Sequence, residues 1–469
     1  MIRSPTAAEP LVQAVQTAGV FTKPTFERFI LLMSGLIVTM GRRTVSRALR
    51  VMEPSLPQGH WCNYHRLWSQ ARFSMWKLAA VLVRRVIVTL LPAVDQPIVL
   101  LVDDTLDRKD GDRVWAKGAH RDAARSSHSR DNIAFGHQWL AMCVLAWLPG
   151  MSRPWALPVL CGLCLSPKVA QKIGGGRRPK TASRIARQLL IRMMRWFPDR
   201  KFILIGDYKV VTHETAAFAH RHRDRVTVVG RLRGDANLYD PPRNPRRRAR
   251  GGGRAQKGRK QPAPCRRVGR MRPSEQELAW YGSSRRTVKL VSDTGLWYGK
   301  HDNRVIAIRW VCVLGDAEQG RENAYFYSTD LSMEPARIVE LYAARWNIEV
   351  TFQECRALLG LGTTRHWCRR SVLRVTPVLL GLFTGVALIW KELSASSLGH
   401  AKPPELLSQT PCYRKRAMTF ADALYLVRRQ VWEQSLLRCR VGHRRRGRCL
   451  NSLPRPLRTM LLWHLAAAA

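Results

Sequence analysis

The chain has 469 residues, 46% of them hydrophobic, which suits a folded protein of two or three domains with sizeable cores. Its formal charge of +46, from 79 basic and 33 acidic side chains, is out of scale for an enzyme of neutral substrates. It points instead to a polyphosphate partner, nucleic acid above all. GC-rich coding accounts for Arg over Lys, but not for the scarcity of acids.

Residues 1–92 read as a helical N-terminal region. "FERFILLMSGLIV" and "MWKLAAVLVRRVIVTLL" have helical length and apolar periodicity. Arg42 to Met52 between them reads as a small helix, a plain structural one or part of a helix-turn-helix-like unit for DNA ends. "MIRSPTAAEP" has no signal-peptide core, so a cytoplasmic protein, nucleoid-associated when bound to DNA, is expected. The eleven cysteines form no disulfide framework, and Cys161 and Cys164 read as core residues.

Residues 93–234 change texture. "PIVLLVDD" is a short apolar run ending in acids and reads as a buried strand. "HQWLAMCVLAW" and "WALPVLCGLCL" are further strand candidates, and Thr181 to Phe197 is an amphipathic helix. "KFILIGD" is a second buried strand ending in an acid, followed by the helix "THETAAFAH" and the strand "RVTVVGRLR". Strands and helices together make an α/β core with mixed pairing. Residues 235–328 form a β-rich insertion with the strands "RRTVKLVS", "GLWYG", "RVIAIRWVCVLG" and "NAYFYSTD". Its Pro241–Arg270 segment, rich in Arg, Gly and Pro and free of acids, is expected to be mobile and to grip phosphates.

Residues 329–400 open with "SMEPARIVELYAARWNIEVTFQECRALLG", read as one helix capped by Ser332. At 100° per residue it lines up Tyr342, Arg345, Glu349 and Arg356 in one polar stripe beside an apolar one. Val375 to Trp390 is the most apolar run and, being short for a membrane span, reads as a buried helix. Residues 401–469 form a basic helical tail suited to dimerisation or DNA contact.

Three acids stand at positions that secondary structure would hold rigidly: Asp104, with Asp103 beside it, Asp207, and Glu349. Converging carboxylates repel unless cations sit between them, so they imply two magnesium or manganese ions, hard cations that take oxygen ligands. Such a pair can activate a water or a 3′-hydroxyl and stabilise the leaving oxygen. Asp107 and Asp110 compete for the first position. Each acid also has a plain reading: a turn or cap for Asp104 and Asp207, and an i,i+4 ion pair with Arg345 for Glu349. His120, His128 and His137 match no metal spacing.

Taken jointly, the pattern resembles the DDE transposases of bacterial insertion sequences, specifically the branch with a Tyr-x2-Arg-x3-Glu-x6-Lys signature. Tyr342, Arg345 and Glu349 match it, and Arg356 stands in place of the Lys. "LLVDDT" resembles the first-acid strand, which favours Asp104 over Asp103, and "ILIGD" resembles the second. The resemblance implies an RNase H-like mixed sheet flanked by helices, with a mainly β insertion before the last catalytic helix. It implies Asp104, Asp207 and Glu349 as catalytic metal ligands, and Tyr342, Arg345 and Arg356 as DNA-binding residues. It also implies cleavage at element ends, attack of the 3′-hydroxyl on target DNA, and a homodimer in the synaptic complex. A base stacking on Trp297 or Trp310 would belong to the same scheme, although core packing is the simpler reading of both. A nuclease or resolvase without strand transfer, or a non-enzymatic DNA-binding derivative, are the alternatives on the same core.

Overall fold

A computed structural model describes residues 7–52, 60–122, 125–126, 129–174, 179–242, 257–280, 284–299, 304–315, 321–397 and 417–442. Five helices come first: α1 (Glu9–Thr17), α2 (Lys23–Val38), α3 (Val45–Val51), α4 (Cys62–Ser69) and α5 (Met75–Leu90). Thr44 and Ser74 start α3 and α5 by accepting hydrogen bonds from the amides of Arg47 and Lys77, both at 3.3 Å. The helix within Arg42–Met52 packs Ala48 and Leu49 out of solvent against α2 and leaves Arg47 and Arg50 exposed.

The first half of the core follows: β1 (Ile98–Arg108), β2 (Gly118–Arg121), β3 (Ile133–Ala146), β4 (Trp155–Cys164), α6 (Pro167–Ile173), α7 (Ala182–Trp196), β5 (Phe202–Gly206), α8 (His213–Arg221) and β6 (Val226–Arg231). β1 runs antiparallel to β3, and β3 to β4, while β5 and β6 run parallel to β1. An antiparallel unit followed by two parallel strands, with helices on both faces, is the RNase H-like arrangement. The parallel strands are buried on both faces, which is why "VLLV" and "FILIG" are continuous apolar runs rather than alternating ones.

The insertion contains β7 (Leu238–Tyr239), α9 (Pro264–Arg267), β8 (Ser274–Ala279), β9 (Arg285–Gly299), β10 (Arg304–Val313) and β11 (Ala324–Ser328). It extends the core sheet rather than forming a separate body, because β11 pairs with β6. The result is one 11-stranded sheet ordered β2-β3-β1-β5-β6-β11-β10-β9-β7, with β4 on β3 and β8 on β9. "RRTVKLVS" and "GLWYG" prove to be a single strand, β9. The expectation of a mobile arm is corrected for residues 257–270. Lys257 lies 3.8 Å from the Tyr298 ring centroid, Lys260 bridges to Tyr239, and Arg267 ion-pairs with Asp293. Residues 243–256 of the arm lie outside the described residues.

The last described helices are α10 (Pro335–Ala343), α11 (Trp346–Leu359), α12 (Arg369–Ser397) and α13 (Phe420–Gly442). The single helix expected from Ser332 is broken at Ala344 and Arg345, where the amides of Arg345, Asn347 and Ile348 bond three residues back instead of four. Its N-cap is Glu334 rather than Ser332. α12 is long and apolar enough to cross a membrane, yet 83% of its most apolar 18-residue window is buried within the protein. It is the core helix against which β4, α5, α11 and α13 pack.

Candidate catalytic carboxylate site

Strand alternation decides which aspartate of β1 meets which helix. Side chains two residues apart share a face, and Asp103, Thr105 and Asp107 face α11 and α12. Asp103 ion-pairs with Arg345, the Thr105 hydroxyl accepts from Arg356, and Asp107 accepts from the Thr376 hydroxyl at 2.9 Å. Asp104 falls on the opposite face, where the Gln138 amide donates to it. Gln138 is on that face because the β1–β3 register sets it across from Leu106. Asp103 is thus the acid joined to the Glu349 helix, while Asp104, on the other face of β1, still acts by its charge on Asp207.

Asp207 directly follows β5. The last β1–β5 pair is Val102 with Gly206, so Asp207 emerges from the end of β5 beside Asp103 of β1. Asp207 Oδ1 accepts from the amides of Lys209 at 3.0 Å and Val210 at 3.1 Å, the turn role its position also predicted. Burial, partly offset by these amides, raises its pKa, and the charge of Asp104 adds to the rise. Burial pushes the Asp103 carboxyl up to about 7, against the pull of Arg345, with the charges of Asp104 and Asp207 raising it further.

Glu349 sits in the first turn of α11 and accepts from Arg345 Nη2 at 2.6 Å. Arg345 thus holds Asp103 with one terminal nitrogen and Glu349 with the other. Burial opposes its charge, but Asp103, Tyr342 and Glu349 raise its pKa above the ordinary value. Tyr342 is buried, with its ring 4.7 Å from that of Phe326, and burial raises its pKa despite the nearby Arg345 and Arg231. Arg356, on the same face, keeps much of its side chain in solvent while its guanidinium donates to the Thr105 hydroxyl; desolvation and the neighbouring Arg108 disfavour its charge. Arg345 thus joins Asp103 to Glu349, Asp207 acts by its charge on Asp103 and Tyr342, Arg356 lies farther along β1 at Thr105, and Asp104 points away from α11.

Among the described residues, no three His, Cys, Asp or Glu side chains converge as a preformed metal cluster. The donors nonetheless fit a hard divalent ion: Asp103, Asp207 and Glu349 offer only carboxylate oxygens. Asp103, Asp104 and Asp207 also act on one another as like charges, which a bound cation would relieve. The competing candidates have other employment. Asp107 is a buried ion-pair partner of Lys109 at 2.9 Å, and Asp110 lends its carbonyl to Lys117. His137 Nε2 lies 2.8 Å from the Trp115 carbonyl, and His128 lies outside the described residues. Trp310 is fully buried and Trp297 packs on Tyr327 with ring centroids 5.1 Å apart.

Two neighbours escaped the reading of the sequence. Arg231 ends β6 at the same edge of the sheet as Asp207, and its charge acts on Tyr342. Its place at the end of the next parallel strand is a signal the sequence carries. Gln138 has no such signal, because only the β1–β3 register places it against Asp104.

A sequence profile described as DDE superfamily endonuclease matches residues 18–287, more than half of the chain and inclusive of Asp103, Asp104 and Asp207. No curated protein matches the sequence. Among solved structures, the cryo-EM structure of the piggyBac transposase synaptic complex with hairpin DNA is similar at a TM-score of 0.41 and 10% identity. That alignment covers 99% of this chain and 83% of the other.

Proposed function

The chain belongs to the DDE superfamily endonucleases, and from that premise we propose that it is a transposase cutting DNA at element ends and joining the 3′-hydroxyl to target DNA. The observation that carries this reading is the Arg345 bridge, which joins Glu349 of α11 to Asp103 of β1, beside Asp207 of β5. Asp103, Asp207 and Glu349 would hold two magnesium or manganese ions, with Asp104 as a flanking charge. When bound, such ions activate the attacking water or 3′-hydroxyl and stabilise the leaving oxygen.

The protein's own residues supply position and charge. β1 and β5 fix their carboxylates because both strands are buried in the sheet and cannot shift. Arg356, near the end of α11, and Arg345, at its N-cap, would hold backbone phosphates beside the scissile bond by bidentate bonds, Arg345 once cations take over Asp103 and Glu349. Tyr342, pinned between Phe326 and Arg345, orients the latter. The partner is double-stranded DNA at terminal inverted repeats and in the target, bound by a homodimer in the synaptic complex, and the bacterial nucleoid is the place of action.

The family description names an endonuclease, which makes cleavage without strand transfer the second reading. A supercoiled plasmid carrying the inverted repeats that flank the gene, incubated with magnesium, separates the two. Strand-transfer products support the first reading, and nicked or linear DNA alone supports the second. Asp103→Ala, Asp207→Ala and Glu349→Ala should each lower cleavage by at least about a hundredfold, as loss of a direct ligand exceeds loss of an outer partner. Chelation should do the same while leaving DNA binding intact. Asp104→Ala should retain more activity than Asp103→Ala; the reverse order would return the first position to Asp104.

A further inference from the structure

We propose that the outer end of the β1–β3 pair, with the residues just ahead of α12, is a stacking platform for unpaired DNA bases. The proposal rests on the reading that DNA is the substrate. Three large apolar side chains are exposed there: Ile133 at 59%, Phe135 at 58% and Trp367 at 65%. Exposed apolar side chains are ordinary when scattered singly, but several gathered on one polar-rimmed surface mark a binding site.

Cations interleave with these rings. Lys117 Nζ lies 6.0 Å from the Phe135 ring centroid, and the Arg369 guanidinium lies 5.6 Å from that of Trp115. The Trp115 amide donates to the Trp367 carbonyl at 2.8 Å, so the two parts of the patch are one surface. Beside Phe135 opens a cavity of about 450 Å³ whose walls include Arg108, Lys117 and Arg125, whereas Lys109, also in its wall, is buried on Asp107. Its carboxylate Asp122 is ion-paired to Arg108, and Asp110 presents its carbonyl to Lys117. Rings for base faces and cations for the backbone are what binds a single strand without reading its sequence.

The patch lies at the far end of the strand pair that carries Asp103. The register Thr105 with Trp139 and Asp107 with His137 puts Phe135 on the face of Asp103. The Lys109 amide donates to the Phe135 carbonyl at 3.0 Å, six positions along from Asp103. At about 3.3 Å per residue that is roughly 20 Å, the length of about six stacked nucleotides. Between the two, Thr105 and Asp107 are buried beneath α11 and α12, so a strand reaching Phe135 passes over the outside of those helices and not along β1 itself. Duplex DNA offers no free base faces, so the ligand class is the unpaired strand, not the duplex.

The test measures full-length protein, in chelator, binding a labelled oligothymidylate and a duplex of equal length by fluorescence anisotropy. Phe135→Ala and Trp367→Ala should each weaken single-strand binding about tenfold or more and change duplex binding less than about twofold. Phe135→Tyr and Trp367→Phe should keep near-parental affinity. Equal losses on both substrates, or no loss on either, would overturn the platform. So would a shift from dimer to monomer in sedimentation of the Ala variants, which would make the patch a protein interface. Failure of the parent protein to bind either DNA would sink this proposal and the DNA reading together. Metal-independent cleavage by Asp103→Ala would remove only the carboxylate assignment.

Discussion

Arg345 does at residue scale what the sequence offered as two alternatives. Its i,i+4 pair with Glu349 was the plain reading of that acid, and its place beside Asp103 is the functional one; the guanidinium spans both. Asp103 and Arg345 side chains are only 13% and 17% exposed, so Arg345→Ala leaves a nearly buried carboxylate without its counter-charge. Breaking such a pair from one side costs up to about 3–5 kcal/mol, and urea unfolding of the metal-free protein should show a lower midpoint with an unchanged slope. A loss under about 1 kcal/mol would mean the bridge is screened like a surface pair. Glu354, on the same helix, gives a pH prediction free of the metal question. Burial pushes its carboxyl up to about 7, with Arg153 pulling the other way. The folded state then holds a proton that the unfolded state releases from its ordinary pKa near 4.5 upward. Stability from this group is therefore full at low pH and falls as pH rises through the window to about 7. Glu354→Gln should raise the melting temperature at pH 8 and leave it nearly unchanged at pH 4.5. A shift of equal size at both would remove Glu354 as the cause.

At the scale of elements, α11 is held at both ends by interactions of different visibility. Its C-terminus is closed by Gly360 in the left-handed region at φ 66°, the standard end for a helix followed by Gly. A Cβ at Gly360 would stand 2.5 Å from Arg43 Cγ and 2.8 Å from Thr363 Oγ1. Arg43 is 3% exposed and ties α2 to α11 through the carbonyls of Leu36 and Leu358. Gly360→Ala should therefore cost about 1–3 kcal/mol from backbone strain and displacement of Arg43, read as a lowered unfolding midpoint; a neutral effect would show that the loop can shift. The "LLG" end of this helix was legible, as were both acid-ending strands, because apolar runs and terminators are local signals. The break at Ala344 was not: "YAAR" carries no Gly or Pro, and only packing of Tyr342 on Phe326 ahead of the Arg345 bridge distinguishes it from continuous helix. Nor could "VDDT" say which aspartate faces α11. Consecutive strand residues point to opposite faces, and the sequence of a strand buried on both sides does not mark which face is which. For the same reason the apolar run of α12 could be read as a core helix only by its length, whereas its burial against β4 and α5 shows why it must be apolar on nearly all sides.

For the whole molecule, one sheet ties the acids to the insertion, and a net charge of +46 surrounds both. The described part of the basic arm spends its cations within the fold: Lys257 covers the Tyr239 and Tyr298 rings, and Arg267 pairs with Asp293 beneath Trp310. Those charges are poorly placed to release counterions from DNA. Arg246, Arg247 and Arg248, earlier in the same segment, are the opposite case in sequence: three adjacent cations between Pro245 and Gly251 with no acid near them. Each phosphate neutralised contributes about 0.9 to the slope of log affinity against log salt. Replacing all three by Gln should flatten the slope for duplex DNA by up to about 2.7, and Arg356→Ala by about 0.9. Arg267→Gln should leave the slope alone while lowering thermal stability, because its partner Asp293 loses an ion pair. Titrations across a range of potassium chloride concentrations separate the three. If the triple variant keeps the parental slope, the basic segment is not a phosphate contact and the long-range attraction to DNA comes from charges fixed on the folded surface. If Arg267→Gln flattens the slope as much as the triple variant does, the whole segment acts as a single electrostatic unit, and its division into a packed and a DNA-gripping half is wrong.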